Sequence, residues 1–167
     1  GLGCAVDAAA RGLRTALVEQ HDFAKGTSSR STKLIHGGFR YLRQGNFALV
    51  RESLRERGRL LRNAPHLVQP LNFLVPCFRW WETAYYGAGL KLYDWFAGEL
   101  GLAPSRRASP AEVRDSLKNL RADGLRGGLA YQDGQFDDAR LAVALAQTAT
   151  DLGASVLNYA RVTTLLK

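Results

Sequence analysis

G-L-G-C-A-V-D-A-A-A-R-G-L (Gly1–Leu13) followed by T-A-L-V-E (Thr15–Glu19) decides the reading of the fold. The first run is alanine-rich as far as Arg11. It predicts a helix, with Gly12 placed as its C-terminal stop. Its small residues, Gly3, Ala5, Ala8 and Ala9, allow that helix to lie close to a sheet. The second run predicts a short buried strand that ends in an acid. A glycine turn, a helix, a strand and a terminal acid make up most of a dinucleotide-binding unit. In such a unit the helix N-terminus faces a pyrophosphate, and the acid hydrogen-bonds ribose hydroxyls. Glu19 falls about 20 residues past the point where the turn would begin, as the fingerprint requires. Gly1 stands for the end of the G-x-G-x-x-G. The plainer reading of these residues is an ordinary α/β unit with a charged strand end.

Outward from this unit comes G-T-S-S-R-S-T-K-L-I-H-G-G-F-R-Y-L (Gly26–Leu42). Hydroxyls and cations crowd its first half, and a histidine, two glycines, an arginine and a tyrosine fill the second. Neither a helical nor a strand period runs through it. Glycines let backbone approach a ligand, and hydroxyls and cations donate to anionic oxygen. The segment therefore suits a phosphorylated cofactor and a small anionic substrate. A polar surface loop would contain many of the same residues.

Asn46–Ala64 predicts a charged helix. Phe47, Val50, Leu54 and Leu61 form its inner stripe, and Arg51, Glu52, Arg55, Glu56 and Arg59 its wet face. Pro65 ends it. Leu71–Pro76 predicts a strand. Thr83–Gly101 is nearly apolar and reads as a helix packed under a sheet, with an interfacial helix as the alternative. Ser109-Pro110-Ala111-Glu112 is a capping box opening a short helix to about Leu120. Gly127–Asp133 predicts a strand and Asp133-Gly134 a turn. Asp137 or Asp138 caps a helix over Ala139–Leu152, which Gly153 closes. Ser155–Tyr159 is a further strand, and a next one is expected from Ala160.

The fold class is therefore α/β, with a middle section of different composition inserted in a nucleotide-binding domain. The expected division is 1–70, 71–131 and 132–167, the last a return to the first domain. Both ends are expected to be internal to a longer chain. The sequence holds no methionine, and the strand that should precede the first turn is absent.

The net charge of +8 comes mostly from arginines dispersed along the chain. They form no basic arm, and no nucleic-acid motif accompanies them, so no nucleic-acid partner is expected. Cys4, among small apolar residues, is expected to be a buried free thiol. The three histidines lack metal-ligand spacing, and no metal site is expected.

Taken together, G-L-G-C-A-V-D-A-A-A-R-G-L, L-V-E, G-T-S-S-R-S-T-K-L-I-H-G-G-F-R-Y-L, A-P-H-L, Y-Q-D-G-Q-F-D-D-A-R-L and G-A-S-V-L-N-Y resemble the FAD-dependent glycerol-3-phosphate dehydrogenase family in the same order. The resemblance covers essentially the whole sequence. It implies the D-amino-acid-oxidase-like flavoprotein fold: a Rossmann-like FAD-binding domain, here without its first strand, and part of an α+β substrate or cap domain.

The resemblance also implies roles. Gly1 would sit at the pyrophosphate turn and Glu19 on the adenosine ribose. Thr27, Ser28, Ser31, Lys33, Leu34 and Ile35 would line the pyrophosphate and flavin edge. Val162 would offer backbone to the adenine. Arg40 and Tyr41 would face the substrate phosphate, and His36 would lie near the flavin as a candidate base. A structural histidine beside a Gly-Gly turn is the other reading of His36.

The implied substrate is glycerol 3-phosphate and the implied cofactor FAD. A quinone is the implied electron acceptor, oxygen being another. The resemblance allows a homodimer. It implies a cytoplasmic location, with peripheral association at the inner face of the cytoplasmic membrane as a variant. An FAD enzyme acting on an amine or a 2-hydroxy acid is the competing reading, with Arg40 on a carboxylate.

Overall fold

A computed structural model describes residues 1–38, 41 and 44–166. In chain order its first elements are α1 (Leu2–Ala10), β1 (Ala16–Val18), β2 (Leu34–Ile35) and α2 (Phe47–Asn63). There follow β3 (Gln69–Cys77), α3 (Glu82–Ala97), β4 (Arg106–Ala108) and α4 (Pro110–Ser116). The last are β5 (Gly127–Gln135), α5 (Asp138–Asp151) and β6 (Ser155–Leu157). The expected α/β class is borne out. Two compact units are present, one formed by 1–33 with 136–167 and the other by 34–135. These junctions differ from the expected ones at 70/71 and 131/132. Leu34 and Ile35 pair with β5, and Val50 and Leu54 of α2 pack on Tyr93 and Ala97 of α3, so both belong by contact to the second unit.

In the first unit, β1 and β6 pair in parallel, Ala16 with Ser155 through Val18 with Leu157. Ala5 and Ala9 of α1 meet Ala149 and Ala154, with Val6, Leu17 and Val156 around them. Small residues four apart on one helix face let the backbones approach. Cys4 lies off that stripe and is exposed, so the expected buried thiol is corrected; Cys77 is the buried cysteine. The strand expected from Ala160 is also corrected, because residues 160–166 carry no regular structure.

Asp137 caps α5 by accepting from the Ala139 and Arg140 amides at 2.9 and 3.3 Å. It also receives the Lys33 ammonium at 3.2 Å. The Arg140 amide first, and then Lys33, hold the Asp137 carboxyl below its ordinary value.

In the second unit, β5 pairs antiparallel with β2, β3 and β4. The turn expected at Asp133-Gly134 does not form. The strand runs through it, with Asp133 opposite Leu71 and Gly134 opposite Pro70. The two-residue period puts Leu129, Tyr131 and Asp133 on one face. There Leu129 meets Cys77 and Leu90, while Tyr86 and Tyr131 pack at the edge of that cluster. On α3 only Leu90, Tyr93 and Ala97 are buried, whereas Trp95 is 73% exposed. The capping box at α4 forms as expected, with Ser109 Oγ accepting from Glu112 N at 3.1 Å, but the helix stops at Ser116.

Arg57 is the departure with the largest consequence. It sits three residues after Leu54, on the inner stripe of α2, and is 1% exposed. Its Nη1 donates to Asp133 Oδ1 at 2.8 Å, and its guanidinium lies 5.7 Å from the Tyr93 ring centroid. The Tyr93 hydroxyl donates to Asp133 Oδ2 at 3.1 Å and accepts from the Gly37 amide at 2.9 Å. Burial first, and then the Asp133 carboxylate, push the Tyr93 pKa up, which keeps its phenol a donor.

Two expectations follow from these contacts. Arg57→Met leaves Asp133 buried without its counter-charge and should destabilise the protein by about 3–5 kcal/mol, with Asp133→Leu added to it recovering much of the loss. Denaturant midpoints of the single and double variants check this; a single variant as stable as wild type would contradict it. For Asp137 the folded pKa is depressed, so its ionic contribution is complete above the ordinary carboxylate range and fades as pH falls through the folded value. Asparagine caps a helix about as well as aspartate. Thermal midpoints of wild type and Asp137→Asn should therefore differ at neutral pH and converge in acid. A gap that does not change with pH would count against the Lys33 and charge contribution.

Candidate functional site

Gly1 is the N-cap of α1, exposed and with no side chain closing the cap. Its carbonyl accepts from the Ala5 amide at 3.0 Å, so the helix begins directly after it. The first N–H groups of such a helix have no partner within it, and they carry the positive end of its dipole. Glu19 follows β1 at the carboxyl end of the parallel pair and is half-buried. Its Oε1 accepts from the His21 amide at 2.9 Å, and its backbone N–H donates to Leu157 O at 2.9 Å. The carboxyl ends of parallel strands are where open α/β sheets take ligands. Val162 lies beyond β6 and is 58% exposed.

Thr27 is exposed and precedes a 3₁₀ turn over Ser28–Arg30. The donors expected for a bound anion are partly engaged elsewhere. Ser31 Oγ donates to the Asp138 carboxylate and accepts from the Lys33 amide at 3.2 Å. Lys33 Nζ donates to Ser28 O at 3.1 Å as well as to Asp137. Lys33 itself has φ +60°, a conformation few non-glycine residues adopt. The N-terminus of α5 thus holds the Ser28–Lys33 turn, a role for Asp137 and Asp138 that the capping reading of the sequence did not contain.

In the second unit, Leu34 and Ile35 are the half-buried β2 pair, opposite Gln135 and Gly134. His36 is exposed. Gly37 is buried, and a Cβ there would lie 2.2 Å from Leu54 Cδ2 and 2.3 Å from the Tyr93 hydroxyl. Gly38 has φ +75°, and its carbonyl accepts from the Tyr41 amide at 2.7 Å. The half-buried Tyr41 packs against the cluster of Val50, Leu54, Tyr93 and Ala97. Arg40 lies outside the described residues.

Sequence reasoning missed Arg57, Tyr93 and Asp133, the residues under this turn. A signal existed for two of them. Arg57 falls on the apolar stripe of α2, and Asp133 alternates with Leu129 and Tyr131 on β5.

The first unit fits a dinucleotide. It offers an uncapped helix start for a pyrophosphate and a strand-end carboxylate that can accept from ribose hydroxyls. Among the described residues, no helix is long and apolar enough to cross a membrane.

Comparison with known proteins agrees with this geometry. The family model described as FAD dependent oxidoreductase matches residues 1–167. A rat protein named glycerol-3-phosphate dehydrogenase, mitochondrial, is 48% identical across 100% of this chain and 24% of its own length. A Saccharomyces cerevisiae protein of the same name is 47% identical across 100% of this chain and 27% of its own. The solved structure of the glycerol-3-phosphate dehydrogenase from Bacillus halodurans, complexed with FAD, superposes with a TM-score of 0.68 at 32% identity, over 99% of this chain and 25% of that one. The chain spans about a quarter of the length of the curated relatives it matches. Those relatives are named mitochondrial, which overturns the expected cytoplasmic location. With the family model matching from its first residue to its last, the chain belongs to the FAD dependent oxidoreductases.

Proposed function

We propose that the whole protein oxidises sn-glycerol 3-phosphate to dihydroxyacetone phosphate. The observation that carries this reading is the 48% identity, over the full chain, with a protein named for that activity. Electron transfer onward to a quinone is part of the same proposal. It is supported by the family resemblance of the Gly26–Leu42 run.

The first unit is assigned to the cofactor, as the Rossmann-like FAD-binding part, and the second to the substrate side, as the α+β part. FAD, when bound, supplies the hydride acceptor. The residues of the first unit that would hold it are Gly1 and Glu19, then Thr27, Ser28, Ser31 and Lys33, with Val162 offering backbone. Gly1 places a helix N-terminus for the pyrophosphate, and the Glu19 carboxylate accepts from ribose hydroxyls. The engaged Ser31 and Lys33 side chains act by fixing the shape of their turn.

Oxidation of a secondary alcohol removes a hydride from carbon and a proton from oxygen. The exposed His36 is assigned to take that proton, since an imidazole nitrogen can act as a general base. Arg40 is assigned to the phosphate, where a planar guanidinium makes paired, charge-assisted hydrogen bonds. Tyr41 is assigned to the same group through its hydroxyl.

The full-length protein should show bound-flavin absorbance and reduce a dye with glycerol 3-phosphate. A flavoprotein that prefers carboxylates or amines in a substrate panel would overturn the reading. Arg40→Ala should raise KM for glycerol 3-phosphate more than about tenfold, as loss of a hydrogen bond between charged groups implies, while FAD stays bound. Unchanged kinetics in that variant would remove Arg40 from the phosphate site.

A further inference from the structure

Between His36 and Tyr41 in the sequence, the backbone at Gly37 is held from beneath. The Gly37 amide donates to the Tyr93 hydroxyl at 2.9 Å and, more weakly, to Asp133 Oδ2 at 3.4 Å. No side chain larger than hydrogen fits at Gly37, because Leu54 and Tyr93 close the space a Cβ would need. The next residue, Gly38, takes up a positive φ and receives the Tyr41 amide. Tyr41 then packs back on the cluster that contains Tyr93. Tyr93 therefore bonds Gly37 through its hydroxyl, and Tyr41 packs on the cluster to which the Tyr93 ring belongs.

Behind Tyr93 the contacts are buried. Its hydroxyl donates to Asp133, and Asp133 is held by Arg57 from α2 and by the Gly134 amide at 3.2 Å. The side chains of Arg57 and Asp133 are 2% and 4% exposed, so water does not compete for these bonds. Three elements, α2, α3 and β5, thus converge on one backbone N–H.

We propose that Tyr93 and Asp133 are positioning residues for His36 and Tyr41, acting through the Gly37 amide. The proposal rests on the assignment of His36 and Tyr41 to the substrate. Neither Tyr93 nor Asp133 touches the reacting atoms. They fix where the two working side chains start from. A small misplacement of such groups costs rate or affinity out of proportion to the stability lost.

Tyr93→Phe in the full-length holoenzyme isolates the hydroxyl, because the ring and its packing remain. kcat/KM for glycerol 3-phosphate should fall about tenfold, mostly through KM, with flavin content unchanged. Amide exchange at Gly37 should be slow in wild type and fast in Tyr93→Phe. The comparison variant is Val113→Ala, which removes buried volume on α4, beside Gly128 at the other end of β5. It should lower the thermal midpoint without moving kcat/KM or Gly37 exchange, as general destabilisation alone would. An active wild type with unchanged kcat/KM in Tyr93→Phe overturns the positioning role. So does fast Gly37 exchange in folded wild type, a reading that holds even if the variant fails to fold. A wild-type holoenzyme that ignores glycerol 3-phosphate overturns the functional assignment instead, and the positioning role with it.

Discussion

The ion pair between Arg57 and Asp133 is the constraint on which the second unit depends. Both side chains are almost wholly buried. Taking two charges out of water costs several kcal/mol each, and only a well-made pair returns that cost. A pair of apolar residues could fill the same space. What the pair adds is direction. A leucine packs in many orientations, whereas a carboxylate that must meet a guanidinium, a phenol and an amide meets them in one. Arg57 therefore fixes α2 against β5, and Tyr93 ties α3 to the same point. The Gly37 amide is then tied, through Tyr93 and Asp133, to a strand and two helices.

The first unit uses a different device at smaller cost. Helix α5 begins with two adjacent carboxylates, and each does two things. Asp137 caps the helix and binds Lys33, while Asp138 lies in the first turn and receives Ser31. Acids belong at a helix N-terminus because the exposed amides and the dipole favour negative charge there. Here the same charge restrains a turn more than a hundred residues earlier in the chain. That restraint accompanies the positive φ of Lys33, a conformation that persists only where surrounding contacts hold it. The polar run that reads as a set of free donors is in part a set of struts.

These two devices also show how far the sequence was legible. Helices and strands with clear periods were readable, as were the Ser109 and Asp137 caps, because their signals are local. The helix and strand of the first unit were readable for the same reason, since glycine, helix, strand and acid lie within one short stretch. Cys4 was misread because alanine neighbours suggest burial, whereas only the Ala5–Ala9 stripe turns inward. Asp133-Gly134 was misread because the dipeptide favours a turn, yet pairing with both β2 and β3 outweighs that local preference. Arg57 was not singled out because a lone arginine on an apolar stripe gains meaning only once its partner is known. That partner lies 76 residues away.

From the sequence alone came the α/β class, the order of the main elements, the family resemblance and the division of Gly26–Leu42 into a polar half and a His-Gly-Gly half. Each depends on neighbours along the chain, where spacing is visible. The tertiary structure alone decided which polar groups are engaged by the protein itself. It placed Ser31 and Lys33 on α5, and it buried Arg57, Asp133 and Tyr93 beneath Gly37. Hydrogen-bond partners distant along the chain are chosen by packing, because a buried charge must find its counter-charge wherever the fold brings one.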